Sequence, residues 1–253
     1  MPKELVAADI RVAKTLPSKF YYEQEIFNFL KPIFSNWQFA THDSEMKTNS
    51  IIPLDHIEAI TGEPIIIVSG EKTQCLSNIC THRGMRLALQ PCTKSILQCE
   101  YHGRTFDLNG KMKHMPEFEQ AIGFPSESDN LRNFPMHSWN GINFVSQEGE
   151  LELPWTEIGN RFDFLDIESF VHDSSRDRDH SINANWMLYV DNYLEGFHIP
   201  FVHPELNQAL DYSGYSTEVF EGGVLQIGKA SKGDMKFNLP KDHANYKFFD
   251  LDL

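Results

Sequence analysis

Residues 20–37 place Ile26, Phe27, Phe29, Leu30, Ile33 and Phe34 at helical spacing, which predicts an amphipathic helix bent or ended at Pro32. From about 38 to 147 the pattern becomes short apolar runs separated by turns. Residues 65–68, 75–76, 95–99 and 142–145 read as strands, and Gly62, Gly70, Gly84, Gly103, Gly110 and Gly141 supply the breaks. Asp107-Leu-Asn-Gly110 reads as a tight hairpin turn. So many short strands predict a small antiparallel β domain. The polar segment 147–152, followed by Pro154, marks a boundary, and the alternating charges of 173–180 read as a solvated turn. Residues 185–197 then predict a helix stopped by Pro200 and Pro204. Beyond it, 215–220 and 224–227 predict strands joined at Gly222-Gly223.

Composition narrows the partners. The chain has 253 residues, and 22 basic against 36 acidic side chains leave a formal net charge of −14. That sign repels phosphate backbones and anionic lipid, so neither nucleic acid nor a membrane surface is expected as a partner. No stretch approaches the roughly 20 apolar residues of a membrane span, and residues 1–10 lack a signal-peptide apolar run. A cytoplasmic location is the expectation. Four cysteines in this length do not make a disulfide scaffold, so each is a candidate for metal chemistry.

Two pairs of soft and borderline donors stand out. Cys80-Thr-His82 and Cys99-Glu-Tyr-His102 are separated by sixteen residues, and each pair follows a strand-like run and precedes a glycine, Gly84 or Gly103. A bulky side chain at those glycines is expected to crowd a metal. Two such loops meeting tip to tip would present two sulfurs to one iron and two nitrogens to another, the asymmetric ligation of a Rieske [2Fe–2S] centre. A single tetrahedral zinc with the same four ligands stays open, although zinc modules usually pair like with like. So does a chain that binds no metal. Cys75 and Cys92 lie outside both pairs and read as buried small hydrophobes.

Downstream, a continuous helix through 185–197 would put Asp191, Glu195 and His198 on one face, with Glu195 and His198 within about 40° of Asp191. If the helix ends near Pro200, His203 can swing back to the same point. Two imidazoles and a carboxylate make the facial triad of non-haem Fe(II) oxygenases. Read alone, the segment is more simply a wet helix face. Phe197, Phe201, Leu206 and Leu210 read as core packing, with an apolar pocket as the alternative.

With both constellations in order, the sequence resembles the α subunits of Rieske non-haem iron ring-hydroxylating oxygenases. Cys80-Thr-His82-Arg-Gly84 and Cys99-Glu-Tyr-His102-Gly-Arg-Thr-Phe-Asp-Leu-Asn-Gly110 look like the Rieske signature of that family. Met85 and Tyr101 stand near the places where respiratory Rieske proteins carry extra cysteines. Many oxygenases have Trp at the position of Arg104. The run from Asn185-Trp through Asp191-Asn, Glu195-Gly-Phe-His198 and His203-Pro is similar to the family's iron helix. Glu195 resembles the variant found in choline and carnitine monooxygenases.

The resemblance implies an α+β fold, with an antiparallel β Rieske domain plus part of a helix-grip catalytic domain. Its parts are an N-terminal helical segment (1–37), the Rieske domain (38–150) and the front of the catalytic domain (151–253). It implies a [2Fe–2S] Rieske cluster on Cys80, His82, Cys99 and His102, and a mononuclear Fe(II) on His198 and His203. Asp191 and Glu195 are the candidate catalytic carboxylates, with Glu195 bridging the cluster of one subunit to the iron of its neighbour. The partners implied are a ferredoxin or flavin reductase as electron donor, O2, and a small organic substrate for mono- or dioxygenation, including aromatic ring hydroxylation. The complete family protein is expected to be a homotrimer. The family's third iron ligand is an Asp far downstream, and here Asp211, Asp234, Asp242, Asp250 and Asp252 are the available residues outside its context. The expectation is a C-terminally truncated chain, with a bare [2Fe–2S] electron-transfer module as the alternative function.

Overall fold

The computed structural model describes residues 6–7, 9–149 and 152–231. These form two compact units that interleave along the chain. Of these residues, 31–149, 152 and 165–178 make one unit, and 6–7, 9–30, 153–164 and 179–231 make the other. Helices and antiparallel sheets mix throughout, as an α+β chain requires.

The first unit is built on ten short strands: β1 (Gln38–His42), β2 (Ile51–Pro53), β3 (Ile65–Ser69), β4 (Thr73–Ser77), β5 (Leu97–Gln98), β6 (Thr105–Phe106), β7 (Met112–His114), β8 (Asn133–Phe134), β9 (Met136–Trp139) and β10 (Ile142–Val145). They pair antiparallel in three sheets, ordered β1-β10-β9, β2-β3-β4-β8 and β5-β6-β7. The run Ile65-Ile-Ile-Val68 is uninterrupted because β3 is covered on both faces. Ile66 and Val68 enter one cluster with Leu76, Leu97 and Phe106, while Ile65 and Ile67 enter another with Cys75 and Phe134. A strand buried on both sides carries no polar alternation. Cys75 is fully buried, as expected of a small hydrophobe, and Cys92 is half-buried.

The β6–β7 turn forms at Asp107–Gly110. Asp107 Oδ1 accepts the amides of Asn109 and Lys111 at 2.9 Å each, and Gly110 takes φ +80°, where a Cβ would also press Leu76 Cδ2 at 3.0 Å. The expected solvated turn at 173–180 is exposed and contains a 3-10 turn, Ser174–Arg176.

In the second unit the chain forms helices Lys19–Tyr22, Gln24–Leu30, Trp155–Phe162, Trp186–Leu194, Ile199–Val202 and Pro204–Ala209. The antiparallel hairpin β11 (Leu210–Phe220) and β12 (Gly223–Ala230) follows, turning at Gly222 with φ +80°. The helix expected over 20–37 is broken at Glu23 and passes after Leu30 into a 3-10 turn, Lys31–Ser35. Pro32 there lacks the N–H that an α ladder needs. Arg161 ties Trp155–Phe162 to the hairpin by donating to Glu157 and to both carboxylate oxygens of Glu218, with its guanidinium 4.8 Å from the Phe220 ring.

Two expectations fail in this unit. The helix expected over 185–197 ends at Leu194, for the local reason given below. Phe197, Phe201 and Leu206, expected in the core, are exposed, Phe201 at 88 %. Among the described residues a single two-stranded hairpin stands behind these helices, too little sheet to cover them. No described helix is long and apolar enough to cross a membrane.

Candidate functional site

The two Cys/His loops are copies of one backbone design. In the first, the Cys80 amide donates to the Met85 carbonyl at 2.8 Å and the Gly84 amide donates to the Cys80 carbonyl at 3.0 Å. In the second, the Cys99 amide donates to the Arg104 carbonyl at 2.8 Å and the Gly103 amide to the Cys99 carbonyl at 2.9 Å. The spacing is the same in both, and both glycines take φ +74°. That left-handed backbone is by itself a local reason for glycine at both places. A Cβ on Gly84 would meet nothing within 4 Å, and one on Gly103 would meet Pro116 Cγ at 3.2 Å.

These matched loops bring like donors together. Cys80 and Cys99 are 1 % and 3 % exposed, and burial pushes the Cys80 thiol up from its ordinary value, with the neighbouring Cys99 thiol adding to the effect. The His82 and His102 rings stand edge to face with centroids 4.8 Å apart. Burial holds His82 below its ordinary value, with His102, Arg104 and Arg83 adding to the effect, so the neutral ring is favoured. Both Nδ1 atoms are buried without a hydrogen-bond partner. Buried polar atoms are almost always satisfied, so two orphaned nitrogens on rings 4.8 Å apart are what a metal-holding pair requires. Among the described residues no three His, Cys, Asp or Glu side chains converge on one point. Donors arranged as a thiol pair and an imidazole pair fit a two-iron cluster and do not fit one tetrahedral zinc.

Several residues that hold these loops were not singled out by sequence reasoning. Asn78, 1 % exposed, donates from Nδ2 to the Ala88 carbonyl at 2.7 Å, and its Oδ1 accepts the amides of Ala88 (2.9 Å) and Leu87 (3.2 Å). Its place two residues before Cys80 was the available signal. Arg104, noticed only as a departure from Trp, is buried and reaches Thr81 and Asp129.

At the second constellation the chain leaves the helix earlier than periodicity predicts. Asn185 caps Trp186–Leu194 by accepting the Met187 amide at 3.0 Å. Glu195 then turns extended, with φ −122° and ψ 158°. Its carboxylate accepts the Phe197 amide and bonds His198 Nδ1, both at 2.5 Å, so a side chain closes the turn that a helical bond would have closed. Gly196 makes this possible, because a Cβ there would lie 2.8 Å from Tyr215 Cε1. Pro200 sits in the first turn of Ile199–Val202, starting a helix where it was expected to stop one. His198 and His203 flank that short helix with ring centroids 5.1 Å apart.

The shared face of Asp191, Glu195 and His198 is therefore not formed. Glu195 and His198 come together, and Asp191, still on the helix, receives the Tyr21 hydroxyl. That bond, reinforced by burial, pushes the Tyr21 phenol up to about 12. Burial raises Glu195, but the hydrogen bonds from His198 and the Phe197 amide outweigh it and hold the carboxyl below its ordinary value. With Nδ1 tied to a carboxylate, His198 keeps Nε2 for a metal, the usual arrangement of a ligating imidazole. Asp211 Oδ1 is engaged by the Ser213 amide at 3.0 Å and its Oγ at 2.6 Å. Asp234, Asp242, Asp250 and Asp252 lie outside the described residues.

Comparison with known proteins finds matches over both regions of the chain. Residues 36–135 match the Rieske [2Fe-2S] domain, and residues 164–249 match the ring hydroxylating alpha subunit catalytic domain. The carnitine monooxygenase oxygenase subunit of Escherichia coli K12 is 28 % identical over 261 residues, covering 97 % of this chain and 68 % of that protein. The chloroplastic choline monooxygenase of Arabidopsis thaliana is 26 % identical, covering 93 % and 60 %. Among solved structures, the quaternary ammonium Rieske monooxygenase CntA superposes with a TM-score of 0.75 at 23 % identity over 86 % of this chain and 62 % of that one. Naphthalene 1,2-dioxygenase from Rhodococcus sp. gives 0.64 at 21 % identity over 93 % and 59 %. The chain thus spans about three fifths to two thirds of the length of these relatives. The match over 164–249 leaves the bare electron-transfer module unsupported. With a Rieske domain at 36–135 followed by catalytic-domain sequence at 164–249, the chain belongs to the family of Rieske non-haem iron oxygenase α subunits.

Proposed function

We propose that the chain is the oxygenase subunit of a monooxygenase acting on quaternary ammonium compounds, supplied with electrons by a reductase. The observation that carries the oxygenase reading is the pair of buried, partnerless imidazole nitrogens beside two adjoining thiols. The substrate class rests on the likeness to carnitine and choline monooxygenases together with Glu195. Aromatic ring hydroxylation and dioxygenation, which the wider resemblance implied, give way to it.

In this reading Cys80 and Cys99 hold one iron of the cluster through sulfur, and His82 and His102 hold the other through Nδ1. His198 and His203 hold the mononuclear iron. When bound, the cluster supplies single electrons and the iron activates O2. The protein's own task is positional. Glu195 accepts the Nδ1 proton of His198, fixing the tautomer in which Nε2 is free to ligate and raising its basicity. The Phe197 amide holds that carboxylate from the other side, so the ring and the acid move as one body. By resemblance Glu195 also bridges between subunits of a trimer.

The test is anaerobic reconstitution of the full chain with iron and sulfide, followed by metal and acid-labile sulfide analysis and EPR of the dithionite-reduced protein. The expected result is two cluster irons with two sulfides, plus further iron that His198→Ala abolishes. With a reductase present, carnitine or choline should stimulate O2 uptake and naphthalene should not. Zinc without labile sulfide overturns the oxygenase reading, and uptake driven by naphthalene alone overturns the substrate class.

A further inference from the structure

Three segments of the first unit meet at Arg104. Its Nη1 donates to Thr81 Oγ1 at 2.8 Å, between the two candidate ligands of the first loop, and to Asp129 Oδ1 at 3.2 Å. Thr81 Oγ1 in turn donates to the Asp129 carbonyl at 2.8 Å. The carboxylate is held from behind by the Ser126 amide at 2.8 Å and the Ser126 hydroxyl at 2.9 Å. The Arg104 carbonyl accepts the Cys99 amide, so one residue grips both loops. Its guanidinium lies 5.3 Å from the Phe124 ring, Phe124 packs on Phe118 at 4.9 Å, and Phe118 meets the His82 ring at 6.2 Å. Arg104 Nε is buried with no partner, the same condition as the Nδ1 atoms of His82 and His102.

The two charges of this pair are not equally screened. The Arg104 side chain is 4 % exposed and the Asp129 side chain 19 %. Solvent damps the carboxylate more than the guanidinium, and Arg104 itself belongs to the second loop, two residues after His102, and bonds Thr81 of the first, so a net positive field remains where the loops meet. Adding one electron to a centre held by these loops adds one negative charge beside that field. We infer that Arg104 sets the reduction potential of the cluster, favouring its reduced form by charge, while its bonds to Thr81 and Asp129 fasten one ligand loop to the other. The inference rests on the proposed reading that Cys80, His82, Cys99 and His102 hold a [2Fe–2S] cluster.

The experiment is a redox titration of the reconstituted full chain, with one electron supplied by dithionite through mediators and the reduced cluster followed by EPR. Arg104→Met should make the cluster harder to reduce, shifting the equilibrium about tenfold, or about 59 mV for one electron. Asp129→Asn leaves the cation uncompensated and should shift it the opposite way by severalfold. Arg104→Lys keeps the charge and should fall between Arg104→Met and the parent. A structural role alone would move Arg104→Met and Asp129→Asn in the same direction, and that result overturns the inference. So does a potential that stays within about twofold, about 18 mV, in all three variants. Should Arg104→Met hold no cluster, the sign of the Asp129→Asn shift decides. A parent chain without a [2Fe–2S] signal overturns the reading of the loops themselves, an outcome distinct from an intact cluster whose potential ignores Arg104.

Discussion

Replacing Asn78 by Ala should release the first ligand loop. Asn78 is almost fully buried, and its amide satisfies both polar groups of Ala88 while sharing the Leu87 amide with its own backbone carbonyl. Removing it leaves the Ala88 N–H and C=O buried without partners. Leu87 keeps its bond to the Asn78 carbonyl at 3.1 Å and is not counted. Each orphaned group costs about 1–3 kcal/mol, so the substitution should cost roughly 3 kcal/mol in the first unit. Asn78→Asp, of nearly equal shape, retains the acceptor but turns a donor into an oxygen facing the Ala88 carbonyl. It should destabilise at least as much. The assay is hydrogen exchange at the Leu87 and Ala88 amides together with urea unfolding of the reconstituted chain, followed by cluster absorbance. Gln90→Ala, an exposed change in the same loop, serves as a control and should stay within about 0.5 kcal/mol. An Ala88 amide still protected in Asn78→Ala, with an unchanged unfolding midpoint, would refute the reasoning.

Gly196→Ala should cost about 1–3 kcal/mol and weaken iron binding beyond the cluster, because the new methyl drives into a Tyr215 ring whose hydroxyl is held by Gln226 at 2.7 Å; differential scanning calorimetry and the iron-to-sulfide ratio check it. Tyr21→Phe removes the donor to Asp191 and should lower the unfolding free energy measured in urea by about 1–2 kcal/mol while leaving cluster absorbance unaltered. His172 is raised above its ordinary value by its bond to Asp177, opposed by burial and helped by Glu45. A raised histidine contributes stability that is fully present below about pH 6.5 and is lost as pH rises through its folded value. His172→Gln should therefore destabilise the chain more at about pH 6 than at about pH 8, as measured by thermal unfolding at the two pH values. Equal losses at both would count against the ion pair.

Much of the first unit is legible locally. Strand β10 falls where the apolar run 142–145 puts it, β3 extends its run by one residue, and the turn at Asp107–Gly110 follows from one Asp and one Gly. The Cys/His pairs are legible too, because their chemistry lies in residue type and spacing. Periodicity failed at Glu195. Helical spacing counts residues along a regular backbone, and it cannot register that a carboxylate will outbid the helix for the Phe197 amide and His198 Nδ1. The left-handed backbone at Gly84 and Gly103 was likewise not legible, because a glycine in a string does not say whether it serves space or φ.

The donors, their pairing into two motifs and the acidic surface were set by residue identity alone, since each follows from side-chain chemistry and short separations. Which nitrogens stay unpartnered, which carboxylate meets which histidine, and the meeting of Arg104 with Thr81 and Asp129 were set by tertiary structure. The Arg104 contacts join segments 23 to 25 residues apart, and burial, which decides their strength, exists only after the chain has closed around them.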